Sequence, residues 1–194
     1  TRVINQATFS KGFFDTKNIK YSTKNAQTSR GLVKKGDVLI ASTGGGVLGK
    51  VFYFNQSGIY VADSHVTILR TNDKYKSKFA YYVLSVNYDL INGLMAQGST
   101  NQIELQRNLL ANFYFPVPNL KSQKEIIAFL DNKCSNIKEI INSKKQELTN
   151  LNQYKQSIIY EYVTGKKQVP TEEGVQEWEA RLTNAMNINN TSLI

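Results

Sequence analysis

The sequence predicts an α+β protein in which a β-rich domain with short helices precedes a long, coiled-coil-forming α-helix. Residues 1–119 contain short apolar runs separated by Gly, Asn and Ser, as is typical of β-strands and their connections. Residues 120–164 contain neither Pro nor Gly, and their apolar residues recur at alternating steps of four and three. Pro170 and a change in composition then mark a tail, so we expect three parts, residues 1–119, 120–166 and 167–194.

The elements of the first part can be placed in order along the chain. The first 35 residues are polar and rich in turn formers, with scattered aromatic residues. A helix with Ser77 as its N-cap and a second helical segment at residues 89–95 are expected next, followed by a last strand at Asn112–Phe115 that Pro116 ends. Before these helices, four apolar runs predict strands: Val38–Ala41, Val51–Phe54, Ile59–Val61 and Val66–Leu69.

The long helix is expected to have two parts with different apolar faces. A dense face near its start is expected to pack on the first domain, and Asp131–Lys133 predict a kink or a cap. The stripe then narrows to a seam, interrupted by Lys144 and Lys155, that predicts pairing with a second helix because one helix cannot bury it alone. The dense face comprises Ile126, Ile127, Phe129 and Leu130, and the seam comprises Ile137, Ile141, Leu148, Leu151, Ile158 and Tyr162.

Positive charge is concentrated in the first part of the chain. The net charge is +9, of which residues 1–119 carry +8 (14 Lys/Arg against 6 Asp/Glu), residues 120–165 carry +2 (7 against 5) and residues 166–194 carry −1 (3 against 4). Because a positive field attracts polyanions, nucleic acid is the natural partner of the first domain. The alternative is a generic basic surface that favours solubility.

Residues suited to catalysis are scarce in the sequence. Cys134 is the one cysteine, which excludes an internal disulfide and a multi-thiolate zinc site. His65 is the one histidine, which excludes a His-pair metal site, and a lone histidine is more often a hydrogen-bonded structural residue. No apolar run approaches the ~20 residues that a membrane helix needs, and Thr1–Ile4 do not open a signal peptide. We therefore expect a cytoplasmic protein with no metal site and no membrane partner.

One motif points towards nucleotide chemistry but lacks the context that this chemistry needs. Gly44–Lys50 nearly match the phosphate-binding P-loop, G-x-x-x-x-G-K-[ST], and they follow a predicted strand. Val51 stands where the magnesium-binding hydroxyl belongs, and the residues that follow favour a strand over the helix that would bind phosphate. A glycine-rich strand connection with Lys50 near a polyanion backbone is the preferred interpretation, and a phosphate-handling enzyme is an alternative.

A series of motifs in the chain resembles one half of a specificity subunit of a type I restriction–modification system. The resemblance covers roughly residues 10–168, and it rests on the order and spacing of motifs that are individually weak. The residues that carry it are Gly36–Ile40, Leu48–Val51, Ala96–Thr100, Phe115–Pro118, Gln123, Ile126, Phe129–Asp131, Leu151, Tyr154, Ile158 and Val163–Lys166.

The resemblance implies a division of labour between the three parts. Residues 1–119 would be a target recognition domain that reads one half of a split double-stranded DNA sequence, and residues 120–166 a spacer or dimerisation helix. That helix would pair with a spacer helix from another repeat or from a homodimer mate. Residues 167–194 would be a tail that begins a further repeat or a permuted opening segment, since Trp178–Leu182 resemble the usual opening of a recognition domain.

The resemblance also implies that the chemistry belongs to partner subunits. Methyltransferase (modification) subunits would dock on the helix and use S-adenosylmethionine, and a restriction subunit would use ATP and magnesium. This chain would itself hold no cofactor and no catalytic residue. The remaining alternative from another class is a coiled-coil adaptor with an RNA-binding domain.

Side chains that contact DNA are expected to divide into phosphate contacts, which position the protein, and base contacts, which specify the sequence. Arg30 and Arg107 could grip guanine, although any single basic residue is as readily a solvated surface charge. Ser99 and Thr100 could instead cap a turn. The phosphate candidates are Lys17, Lys20, Lys24, Arg30, Lys34 and Lys50, and the base candidates on loops are Ser42, Thr43, Ser99, Thr100, Asn101 and Gln102.

Overall fold

The computed structural model describes residues 1–23, 30–98, 103–170, 174–176, 180 and 183. The chain divides into two compact units, Thr1–Lys133 and Cys134–Ile194. The first contains the β-sheets and the short helices, and a long helix begins in the first unit and makes up most of the described part of the second. The predicted α+β class, a β-rich domain followed by a long helix, is therefore confirmed.

Three sheets are present among the described residues. The first has strand order β2-β1-β6-β3, with β1 and β6 parallel and the outer pairs antiparallel. The second is antiparallel with order β5-β4-β7, and β8 and β9 form a two-stranded ribbon. The strands are β1 Arg2–Ile4, β2 Lys20–Tyr21, β3 Leu32–Val33, β4 Val38–Ala41, β5 Val51–Tyr53, β6 Tyr60–Ala62, β7 Val66–Leu69, β8 Ala96–Gln97 and β9 Glu104–Leu105.

Strand β4 organises the core of the first unit, because both of its faces are buried. Successive side chains of a strand point to opposite faces. Leu39 and Ala41 join one apolar cluster, which includes Phe9 and Phe54, while Val38 and Ile40 join another. The second cluster contains residues from the helices and from the β8–β9 ribbon. A strand buried on both sides accounts for the continuous apolar run from which it was predicted.

The four predicted strands are all present, but the prediction at Asn112–Phe115 was wrong. Residues 113–119 belong to no helix or strand. Phe113 and Phe115 pack ring against ring, and Phe115 also packs on Phe79. The apolar residues of this segment are therefore explained by side-chain packing and not by pairing with a neighbouring strand. Strands β1, β2 and β3 were not predicted, because they are two or three residues long and lie in polar surroundings.

Helix α1 begins earlier than predicted. The helices of the first unit are α1 Lys74–Val86, α2 Tyr88–Leu94 and α3 Arg107–Ala111. The N-cap of α1 is Asp73, whose carboxylate accepts the backbone N–H groups of Tyr75 and Lys76 at 2.7 and 3.2 Å. These hydrogen bonds lower the pKa of Asp73, because they favour its charged form. Ser77, the predicted N-cap, is instead buried inside the helix beside Thr71.

The long helix, α4, spans Leu120–Val163, and its first residues pack on the first unit by a narrower face than predicted. Ile127 and Gln123 are buried, whereas Ile126 and Phe129 are 39% and 61% exposed, so the prediction that these two residues pack on the domain was wrong. Of the kink or cap predicted at Asp131–Lys133, the cap was wrong, since the helix continues through these residues, and the kink stays a prediction. Asp131 instead accepts a hydrogen bond from the Tyr82 hydroxyl and pairs with Lys78 at 3.1 Å.

Helix α4 in the second unit ends at a glycine, and the chain then turns back on it. Gly165 has φ +71°, the left-handed conformation that commonly closes a helix. Lys167 then donates its backbone N–H to the Glu161 carbonyl and its ammonium pairs with the Glu161 carboxylate at 2.7 Å. In the tail beyond residue 170, residues 174–176, 180 and 183 are described, and they are helical. In the described part of the chain, no helix is long and apolar enough to cross a membrane.

Candidate nucleic-acid interface

Two shallow clefts lie side by side on the first unit, and His65 lines both of them. Their volumes are about 400 and 430 Å³. We call the residues that line them the polar face, because eight of the side chains are amides or hydroxyls, three are basic and two are acidic. The first cleft is lined by Asn5, Gln6, Ala7, Lys17, Asn18, Ile19, Lys20, Asp63 and His65, and the second by Ser42, Thr43, Ser64, His65, Glu104, Leu105, Gln106, Arg107 and Asn108.

The centre of the polar face is held by side chains from three separate segments. Gln6 opens a 3₁₀ turn directly after β1, Thr43 follows β4, and His65 precedes β7. The Thr43 hydroxyl donates to Gln6 Oε1 at 3.0 Å and lies 2.9 Å from His65 Nδ1. The backbone N–H of His65 donates to the Asp63 carboxylate at 2.9 Å, which fixes the turn before β7. Because each segment follows or precedes a strand of the core, the three side chains are positioned by the sheets.

The predicted base-contact residues of the β4 loop have different surroundings. Ser42 is buried, and its hydroxyl lies 2.5 Å from the Thr67 hydroxyl and 3.4 Å from the Ile40 carbonyl oxygen, so its hydrogen bonds are used inside the domain. Thr43 lies on the polar face. It also forms a bridge with Glu104 of β9, and β9 is joined to β8 by the segment that contains the other base candidates. Those candidates, Ser99, Thr100, Asn101 and Gln102, lie outside the described residues.

The predicted phosphate contacts lie in different places on the first unit. Lys17 and Lys20 are exposed and lie on the polar face, together with Arg107, which was predicted to contact guanine. Arg30 and Lys34 are also exposed, but they flank β3, whereas Lys20 is in β2, and β2 and β3 are the two outer strands of the same sheet. At about 4.8 Å per strand, these edges are about 14 Å apart. Lys24 lies outside the described residues.

Lys50 lines a third cleft, which does not include Thr43. That cleft has a volume of about 260 Å³ and is also lined by Phe9, Tyr81 and Tyr88. The expected strand follows Lys50 directly, as β5, so the near P-loop lacks the helix N-terminus that binds phosphate. Gly49 is instead a packing position: it has φ +84°, and a Cβ there would lie 3.0 Å from Ile91 Cγ2. Its place in the motif is therefore explained by close packing on α2.

The Gly36–Asp37 motif is a buried anchor and not a contact surface. The Asp37 side chain is 2% exposed, and its two carboxylate oxygens accept from Arg70 Nε and Nη2, each at 2.7 Å. The backbone N–H of Lys34 adds a third donor at 2.7 Å. The hydrogen bond with Asp37 raises the pKa of Arg70, because it favours the charged guanidinium. Arg70 also donates to the Leu32 carbonyl, so the pair ties β7 to β3 across two sheets.

Most of the predicted pairing seam on α4 is open. Ile137, Ile141, Leu148 and Leu151 are between 46% and 60% exposed. Ile140 and Ile159, which the seam prediction did not include, are also exposed, and at about 100° per residue they flank the same stripe. Lys144 pairs with Glu147 on the same helix at 2.9 Å. Ile158 and Tyr162 differ, because they line an apolar cavity of about 490 Å³ with the tail residues Val169, Pro170 and Val175.

Sequence reasoning did not select Gln6, and it treated His65 as a structural residue. Both are polar residues in segments without periodicity, so nothing in the pattern distinguishes them from other surface residues. The one usable signal was the position of His65 directly before a predicted strand, since loop residues next to strand ends are held in place by the sheet.

The family of the chain agrees with this geometry. A family model of the type I restriction modification DNA specificity domain matches residues 3–150. The match includes the whole polar face and the exposed seam as far as Leu148. The chain therefore belongs to the type I restriction modification DNA specificity domain family, a non-catalytic module that recognises DNA sequence in type I restriction–modification systems. The resemblance to one half of a specificity subunit is confirmed.

Proposed function

We propose that this chain reads one half of a bipartite DNA target, and that pairing of α4 with a second such helix provides the other reader. The observation that carries the proposal is the exposed seam from Ile137 to Leu151, in a chain whose family recognises DNA sequence. An apolar stripe of this kind is stable in water when another surface covers it. A heptad seam fits a second helix of the same kind, from another repeat or from a second copy of the chain.

The length of the helix that carries the seam supports a split target. From Ile137 to Tyr162 an α-helix rises about 37 Å, at ~1.5 Å per residue. One turn of B-DNA is ~34–36 Å, which is also the usual spacing of two half-sites read by a symmetric dimer. A helix of this length, paired along its exposed part from Ile137 to Leu151, suits two readers that face successive major grooves and leave the bases between them unread.

The polar face is the proposed DNA surface of each reader. The basic side chains of Lys17, Lys20 and Arg107 suit phosphate contacts, while the amides and hydroxyls of the polar face suit base edges. The two acidic residues, Asp63 and Glu104, reduce the local positive charge. Hydrogen bonds to the bases therefore contribute more to DNA binding at this face than non-specific electrostatic attraction does.

The chemistry of the system is assigned to partners of this chain. Methyltransferase subunits, which use S-adenosylmethionine, would dock on the paired helices, and a restriction subunit would use ATP and magnesium. The chain itself would determine which DNA sequence is bound and would hold no cofactor. The cytoplasm, where the DNA and these partners meet, is the expected location.

The test compares two pairs of lysines on opposite edges of the first sheet. In the full chain, Lys17→Ala with Lys20→Ala removes charges of the polar face, and Lys34→Ala with Lys35→Ala is the matched control. DNA affinity is measured at several salt concentrations. Because each phosphate contact contributes about 0.9 to the slope of log affinity against log salt, the first pair is expected to reduce the slope by about 2 and the control to leave it unchanged. A reduced slope in the control pair alone would place DNA on the other edge of the sheet and refute the proposed surface.

A further inference from the structure

The side chains of Gln6, Thr43 and His65 share one hydroxyl group, and this determines the direction of both hydrogen bonds. The Thr43 hydroxyl donates to Gln6 Oε1 at 3.0 Å, with His65 Nδ1 2.9 Å from the same oxygen. A threonine hydroxyl has one proton, so after donating to Gln6 it can only accept from His65. His65 Nδ1 therefore carries a proton and donates to Thr43.

The same chain of hydrogen bonds determines which groups are left to face a ligand. A neutral imidazole with its proton on Nδ1 presents Nε2 as a hydrogen-bond acceptor. Gln6, whose carbonyl oxygen is occupied, presents its amide NH₂ as a donor. No described residue donates to His65 Nε2 or accepts from the Gln6 NH₂ group. The centre of the polar face thus offers a donor and an acceptor, both fixed by Thr43.

The backbone next to Thr43 makes room for this arrangement. Gly44 has φ +93°, and a Cβ at this position would lie 3.1 Å from Gln6 Nε2. The Gly44 N–H donates to the Ile103 carbonyl oxygen at 3.3 Å, which holds the loop against the segment before β9. His65 is exposed and Gln6 is half-buried. Because the two side chains are already held in place, little conformational entropy is lost when they bind.

We propose that Gln6 and His65 read adenine in the major groove. Thr43 is the positioning residue that makes Gln6 the hydrogen-bond donor and His65 the acceptor. Adenine presents an acceptor, N7, next to a donor, the N6 amino group. The Gln6 amide donates to N7, and His65 Nε2 accepts from N6. Guanine presents two acceptors in the same places, so it would leave Nε2 opposite O6 without a proton between them. The inference rests on the proposed function, because it requires the polar face to meet DNA.

The test is selection from randomised duplex DNA by the full chain with its methyltransferase subunits. Thr43→Val removes the hydroxyl at nearly constant shape, Thr43→Ser keeps the hydroxyl as the matched control, and His65→Ala removes the exposed acceptor. We expect Thr43→Val and His65→Ala each to lower the preference for adenine at one position of the target by about tenfold. Thr43→Ser should keep that preference, and affinity for a duplex of unrelated sequence should be the same in all four proteins.

Two results would overturn the assignment. One is an adenine preference that persists in both Thr43→Val and His65→Ala. The other is an equal loss of affinity for target and unrelated duplexes in His65→Ala, which would make His65 a general contact. Because His65 is exposed, its variant gives a clear answer even if Thr43→Val disturbs the β4 loop. If the Lys17/Lys20 variant loses salt dependence while these selections do not change, base reading by this chain of side chains fails and the proposed DNA surface stands.

Discussion

The two units of the chain differ in how far their apolar side chains are buried. In the first unit, Leu39 and Ile40 are fully buried between two clusters that the unit supplies itself. In the second, Leu148 and Leu151 are 60% and 55% exposed on a helix that continues for many turns. Leucine is thus shielded from water in the first unit and exposed to water on the helix. The first unit therefore needs no partner to bury its core, whereas the helix requires a partner to bury its seam.

Ion pairs show the same contrast. Asp37 and Arg70 make two parallel hydrogen bonds, with the carboxylate almost completely buried. Lys144 and Glu147 form a single contact with both side chains about half exposed. A buried carboxylate that loses its partner keeps the cost of its desolvation, whereas exposed charges regain water. Charge therefore fixes the architecture of the first unit and adds little to the helix.

The largest expected effect comes from replacing the same residue type in the two units. Leu39→Ala leaves a cavity in a core with no room to relax, so we expect it to lower the free energy of unfolding by about 3 kcal/mol. Leu148→Ala removes exposed surface and should leave the urea midpoint of the dilute protein unchanged. Urea unfolding followed by circular dichroism measures both. Equal losses in the two variants would contradict the contrast in burial.

A smaller effect is expected from the matched ion-pair variants. Arg70→Met leaves the Asp37 carboxylate with one backbone donor, and because Arg70 is itself partly exposed, water offsets some of the loss. We expect a loss of about 2 kcal/mol. Lys144→Met should cost no more than about 0.5 kcal/mol. Thermal unfolding of both proteins compares them, and a larger loss in Lys144→Met would show that the helix depends on its charges.

The sequence was most informative where the pattern is local. The run Val38–Ala41 predicts its strand because both faces are apolar, and the heptad steps after Ile137 predict a long helix without any knowledge of the rest of the fold. Asp73 was missed as an N-cap because Ser77 has the same capping chemistry one turn later. Capping depends on where the backbone starts to turn, which composition does not specify.

The polar face could be predicted only in part, because it is assembled from distant segments: the sequence suggested Thr43 but not its neighbours Gln6 and His65. Gln6, Thr43 and His65 are far apart in sequence and meet only after β1 pairs with β6 and β4 pairs with β7. Lys20 and Lys34 are close in sequence, yet the sheet places them at opposite edges. Strand order, which a polar segment without periodicity does not reveal, decides which side chains become neighbours.

The most direct test of the account compares the DNA targets selected by the wild-type chain and by Leu148→Glu with Leu151→Glu. Two carboxylates in the exposed seam should prevent helix pairing without affecting the core of the first unit. We predict that the wild-type complex selects two specified blocks whose centres are about one helical turn apart, with unread bases between them. The variant should lose helix pairing, which in a complex of two copies halves the mass in sedimentation, and it should select one block alone. A single continuous target for both proteins would contradict the account.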